Sequence, residues 1–142
     1  MVLGIKAITK LAGFVSFLLI TSCVNAEVKI SSNSTRCIAE LNEQSIALEL
    51  QPPCSVVKVN QQGESFHQYK GVKVYIVAGA PTSLEMLEKW SVTTEDNCSL
   101  KSQAVFVESG LLSTSKVRDK SLACPDIGLD EKVYRDFLLH KI

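Results

Sequence analysis

The chain has 142 residues, with 15 basic residues balanced by 15 acidic ones and 46% hydrophobic residues. A neutral chain with no Lys/Arg cluster excludes nucleic-acid binding, which needs a basic footprint, and also polybasic binding to anionic lipid. The length supports one modest domain, of a size at which covalent staples help.

Residues 1–26 have the three parts of an export signal. Lys6 and Lys10 give a positive start without an acid, Leu11 to Ile20 is an apolar run, and Thr21 to Ala26 is small and polar. The apolar run is shorter than the roughly 20 residues needed to span a bilayer, so it reads as a cleaved signal and not an anchor. Val24-Asn25-Ala26 before Glu27 is an A-x-A-like cleavage site. Cleavage there leaves 13 basic and 15 acidic residues, a net charge of −2.

The same region admits a second reading. Ile20-Thr21-Ser22-Cys23 resembles the lipobox of bacterial lipoproteins, with Ile, Thr and Ser where Leu, Ala and Gly are more usual. The resemblance implies cleavage after residue 22 (a signal of 1–22), with Cys23 becoming the first mature residue and carrying a diacylglycerol. It gives Cys23 a role and is the reading preferred here. The absence of Asp among Val24 and Asn25 then resembles the sorting pattern of outer-membrane lipoproteins.

Residues 27–36 are polar and Ser-rich, a tether or a frayed first strand. A disulfide-bonded domain over 37–142 follows. Ile46, Leu48 and Leu50 alternate with Ala47 and Glu49, the period of a half-buried strand, which Pro52-Pro53 stops. Val56 to Val59 and Ser65 to Tyr69 flank Asn60-Gln61-Gln62-Gly63, so 55–70 reads as a hairpin. Val72 to Ala78 is the most apolar stretch of the mature chain and the expected central strand. Thr82-x-x-Glu85 reads as a capping box that opens a helix through about Lys89, with Leu84, Leu87 and Trp90 toward the core. Ala104 to Val107 is a strand turned by Ser109-Gly110, and a weaker strand is expected near Lys116 to Leu122. Asp130 is a good N-cap for a helix whose stripe is Val133, Phe137 and Leu138, with Tyr134 at its edge and Arg135, His140 and Lys141 toward its C-terminus. The sum is an α+β fold of five or six mostly antiparallel strands and two short helices.

Four cysteines remain once Cys23 is lost with the signal or acylated: Cys37, Cys54, Cys98 and Cys124. An even number in an exported chain reads as two disulfides, with three pairings open. Cys37–Cys54 and Cys98–Cys124 are favoured as nearest neighbours. A zinc site would show a close ligand pair, and no C-x-x-C occurs.

No catalytic, cofactor or metal motif survives. Ser-x-x-Lys occurs at Ser55–Lys58 and Ser113–Lys116, about as often as 16 serines and 12 lysines give by chance, and the partner motifs of serine acyl-enzymes are absent. His67 reads as a solvent-facing strand residue and His140 as a helix C-terminal cation. Asp126, Asp130 and Glu131 surround Gly128 without the EF-hand pattern, and read as turn residue, cap and first-turn acid. The candidate contact surface is Trp90 with Tyr69 and Tyr75. The chain is therefore expected to be a non-enzymatic exported protein of the periplasm or outer membrane that binds another envelope or secreted protein as an inhibitor, immunity or accessory module. It would touch the membrane only through a lipid on Cys23. The alternative is a structural envelope lipoprotein without a discrete ligand; a small secreted hydrolase would need paired catalytic groups that no motif supplies.

Overall fold

A computed structural model describes residues 26–60 and 62–141. Residues 1–25, which hold all but the last residue of the segment read as an export signal, and Cys23 with them, lie outside the described residues. The architecture is mostly antiparallel β-sheet with one α-helix, one longer 3-10 helix and two disulfides, stacked as sheet on sheet on helix. Among the described residues no helix is long and apolar enough to cross a membrane.

The first sheet is a meander of β1 (Lys29–Ser32), β2 (Cys37–Leu41) and β3 (Gln44–Leu48). Segment 27–36 thus contains a paired strand, with Lys29 opposite Glu40 and Ser32 opposite Cys37. Alternation puts Val28 and Ile30, then Cys37, Ala39 and Leu41, then Ile46 and Leu48 on one face. β2 has a weak sequence signal because two of its inward residues are Cys and Ala.

The second sheet centres on β6 (Val72–Ala78), flanked by β7 (Ser102–Glu108) and β8 (Leu111–Thr114) on one side. On the other side lie β4 (Ser55–Val56) and β5 (Phe66–Tyr69), both antiparallel to β6. This corrects the expected hairpin over 55–70. Ser55 and Val56 face Ala78 and Val77, the Val57 N–H continues onto the Ile76 carbonyl at 2.8 Å, and Phe66 then faces Tyr75. The two segments are one edge strand interrupted by the excursion 58–65. The turn chemistry at Asn60 is real: its Oδ1 accepts from the Gln62 and Glu64 N–H groups, and the Val59 N–H bonds to the Glu64 carbonyl. It closes the excursion and does not fold two strands together. Pairing with β6 wins because it buries Val57 completely, which a free hairpin could not do.

Both faces of β6 are covered. Tyr75 and Val77 join the cluster against the first sheet. Val72, Val74, Ile76 and Ala78 pack with Ala104 and Phe106 under α1 (Glu131–Leu139), which contributes Tyr134 and Phe137. Asp130 caps this helix as expected, accepting from the Lys132 N–H at 2.8 Å. Tyr134 lies at the centre of the buried stripe, fully inaccessible, and not at its edge. Its 4.7 Å edge-on contact with the His67 ring also corrects the expectation that His67 faces solvent. Two glutamines join the sheets where backbone ladders do not. Gln44 donates to the Gly110 carbonyl and accepts from the Leu112 N–H. Buried Gln103 accepts from the Glu49 N–H at 2.9 Å and donates to the Ser115 carbonyl at 2.8 Å.

Beyond β6 the chain forms a 3-10 helix, Leu84–Trp90. The expected capping box at Thr82 does not form: Ser83 is the N-cap and makes no side-chain cap. Thr82 is committed elsewhere, its Oγ1 accepting from the Leu100 N–H at 3.0 Å and its N–H bonding to the Cys98 carbonyl. A capping box occurs instead at Thr93–Asp96, on a shorter 3-10 turn. The strand expected near 116–122 is replaced by β8 and two isolated bridges, Ser102 to Arg118 and Ser99 to Ala123. The disulfides are Cys37–Cys54 and Cys98–Cys124, the nearest-neighbour pairing.

Candidate functional site

The three residues proposed as a contact surface fall into three different clusters. Tyr69 packs against α1, where its hydroxyl donates to Glu131 at 3.2 Å and the Arg135 guanidinium sits 5.4 Å from its ring. Tyr75 is wholly buried between the sheets. Trp90 is half-buried at the far end, its ring under the Lys89 ammonium at 4.3 Å. Tyr69 and Trp90 are both partly accessible but lie in different clusters, and Tyr75 is inaccessible, so the three do not form one surface.

Two surfaces stand out, toward opposite ends of β6. The first is an open cleft of about 630 Å³ along β5. Its floor is the Phe66–Tyr75 pair, with ring centroids 5.2 Å apart. Register explains the floor, since Phe66 faces Tyr75 and Gln68 faces Lys73, so all four side chains share one side of the sheet. Glu27 and Glu64 stand on the rim, and the Lys73 ammonium lies 4.8 Å from the Phe66 ring centroid. Under this floor the Tyr75 hydroxyl is the one buried side-chain polar atom among the described residues without a hydrogen-bond partner. The Val28 backbone approaches it and pulls the phenol pKa down somewhat without reaching hydrogen-bonding geometry; burial dominates and raises the pKa. An unpaired buried hydroxyl costs about 1–3 kcal/mol.

The second surface is the 3-10 helix. Leu87 is buried against Cys98 and Cys124. Leu84 and Met86 are 45% and 63% exposed on the same element. Met86 also lines a crevice of about 270 Å³ with Ala80, Thr82 and Leu100. Seven residues thus carry two exposed large apolar side chains and a half-buried Trp. Scattered single apolar residues are ordinary on a surface; several concentrated on one short element have the character of a contact region.

The remaining candidates are dispersed. Asp126 pairs with Lys58 at 2.8 Å, Asp130 caps α1, and Glu131 bonds Arg135 and Tyr69. Among the described residues no group of three or more His, Cys, Asp or Glu side chains is placed to hold a metal ion. Gly128 serves packing: at φ +90° it runs so close to the Lys58 carbonyl that a Cβ would lie 3.0 Å from it. Ser55 and Ser113 lie in β4 and β8, where the Ser-x-x-Lys spacing has no helical turn to bring serine and lysine together. His140 ends α1, its Nδ1 2.8 Å from the Asp136 carbonyl. Compared with protein-family models, with curated proteins and with solved structures, the chain has no match in any of the three.

Proposed function

We propose that this is an exported envelope protein, lipid-anchored at Cys23, that acts as a protein-binding module through its 3-10 helix. The observation that carries the binding role is the exposure of Leu84 and Met86 beside Trp90 on one seven-residue element. Leu, Met and Trp together supply the apolar, adaptable contact area that anchors protein interfaces. Two disulfides fit a chain that folds in an oxidising compartment. The lipid anchor is supported by the lipobox-like Ile20 to Cys23, and the periplasmic side of the outer membrane by the residues that follow it.

The test is affinity capture from the envelope fraction of the native host, comparing the wild type with a Leu84→Ser/Met86→Ser double variant. Met86 is mostly in water and Leu84 nearly half exposed, so the variant should lose no more than about 1–2 kcal/mol and remain folded. The proposal expects one specific protein retained by the wild type and lost from the variant. A partner retained equally by both moves the interface elsewhere. No partner for the wild type leaves a structural lipoprotein as the better reading.

A further inference from the structure

We propose that the end of the sandwich carrying the turns Asn42–Glu43, Lys70–Gly71 and Ser109–Gly110 lies flush against the bilayer, so that the 3-10 helix is displayed on the side away from the lipid. This rests on the lipid-anchored reading of Cys23. Only Val24 and Asn25 separate Cys23 from Ala26. Three Cα steps of fully extended chain reach about 11 Å at most. Ala26 already belongs to the fold: it is half-buried against the inter-sheet cluster, and Val28 is buried two residues on. There is no slack between the acylated cysteine and the packed domain.

Where the chain enters decides which end meets the lipid. Ala26 shares a crevice with Leu41, Asn42, Gly71, Ser109 and Gly110, so the entry point sits among the three turns. The register agrees, since Val72 at this end of β6 faces both Tyr69 and Glu108, the residues just before two of those turns. The surface suits a headgroup layer. Lys70 is exposed and can meet a lipid phosphate, balancing the exposed Glu43 of the neighbouring turn, and Leu111, 66% exposed just after the Ser109–Gly110 turn, can rest at the acyl boundary. From Val72 to Ala78, β6 rises roughly 20 Å before the chain turns into the 3-10 helix. A partner arriving from the periplasm therefore meets Leu84, Met86 and Trp90 first.

Trp90 is the only tryptophan, which makes it a native reporter of the distal end. The full precursor would be expressed in a bacterial host, its mass measured, and the mature protein reconstituted into phosphatidylethanolamine/phosphatidylglycerol vesicles with acyl chains brominated near the headgroup. The wild type is compared with Leu111→Trp in a Trp90→Phe background, with far-UV circular dichroism confirming that the variant folds. The orientation predicts quenching several-fold stronger at position 111 than at Trp90. A flexible linker of about 20 residues inserted between Asn25 and Ala26 should abolish that difference. Equal quenching, or stronger quenching at Trp90, in a protein whose mass begins at an acylated Cys23 overturns the orientation while the anchor stands. A mass beginning at Glu27 without lipid overturns the anchor, and the orientation with it. If Leu111→Trp/Trp90→Phe does not fold, Glu43→Trp in the same background, at an exposed turn position without positive φ, serves in its place.

Discussion

The Cys37–Cys54 and Cys98–Cys124 bridges close loops of similar size, with sequence separations of 17 and 26, yet they sit in different company. Cys37 is one buried member of a cluster that also holds Val28, Ala39, Leu41, Leu48, Leu50, Tyr75, Val77 and Val105. Its strand is paired on both sides. At the other end the fully buried cluster is Leu87, Cys98 and Cys124, with Trp90, Val92, Leu100 and Leu122 only partly covered. There the disulfide supplies most of the core itself. The secondary structure differs in the same sense: long ladders in one region, 3-10 turns and isolated bridges in the other. The region proposed to meet a partner is the one with the least packing of its own, where local opening costs least.

Removing each bridge should separate the two regions. In the chain-entropy account the bridges contribute about 3 and about 3.5 kcal/mol. Cys37→Ala/Cys54→Ala should lower the single cooperative unfolding transition by about 3 kcal/mol. Cys98→Ala/Cys124→Ala should instead release the 3-10 end first. Amide hydrogen exchange should show Leu84 to Trp90 and Ser99 to Leu100 losing protection while β6 and β7 keep theirs. If β6 and β7 lose protection together with the 3-10 end, the two regions are one cooperative unit and the contrast drawn here fails.

Alkaline titration sharpens the contrast from the other side. The chain's three tyrosines, Tyr69, Tyr75 and Tyr134, all lie in the sheet-and-helix body, and all three have raised pKa values. Burial is the main cause in each case, and for Tyr134 it pushes the value up to about 12. Because the folded pKa exceeds the unfolded one near 10, the folded state holds the proton longer. The stabilisation is fully present below pH 10 and is lost as pH rises through 10 toward 12. For Tyr134, two pH units correspond to roughly 3 kcal/mol. Phenolate absorbance should show no tyrosine of the native protein titrating at its ordinary position, whereas the denatured chain titrates near pH 10. A native tyrosine with an ordinary midpoint would show the body to be looser than its packing implies.

What could be read in the sequence followed the strength of the local pattern. β3 and β6 are legible because Ile46, Leu48 and Leu50 alternate and Val72 to Ala78 is uniformly apolar. The helix after Asp130 is legible because cap and stripe agree. The hairpin over 55–70 misled because its turn residues are real while its pairing partner, β6, lies further along the chain. Thr82 had the right spacing for a capping box, but its hydroxyl serves the Leu100 N–H, a contact across 18 residues that no local pattern announces. Gln103, in a strand otherwise read from its apolar neighbours, gave no hint that it is buried or that it joins two sheets. Of the proposed contact surface, Tyr69 and Trp90 are partly accessible in separate clusters. Tyr75 is inaccessible, which its pattern did not show, because in a strand covered on both faces the period of two no longer separates inside from outside.

The smallest expected effect falls on that same tyrosine. Tyr75→Phe deletes one oxygen that has no hydrogen-bond partner and leaves the ring packed at a tilt against Phe66. If the hydroxyl is simply unpaired, its removal relieves a desolvation cost, and the variant should be as stable as the wild type or up to about 1 kcal/mol more stable. A destabilisation of similar size would mean that the hydroxyl has a partner in solution. Two partners are at hand: the Val28 N–H, which already approaches the hydroxyl, and a water entering from the cleft between Phe66 and the Glu27 rim, since a bridging water makes nearly as good a bond as a protein group. The sign of one thermal-melt difference thus decides whether the hydroxyl beneath Phe66 is orphaned or is satisfied in solution by the Val28 backbone or a water.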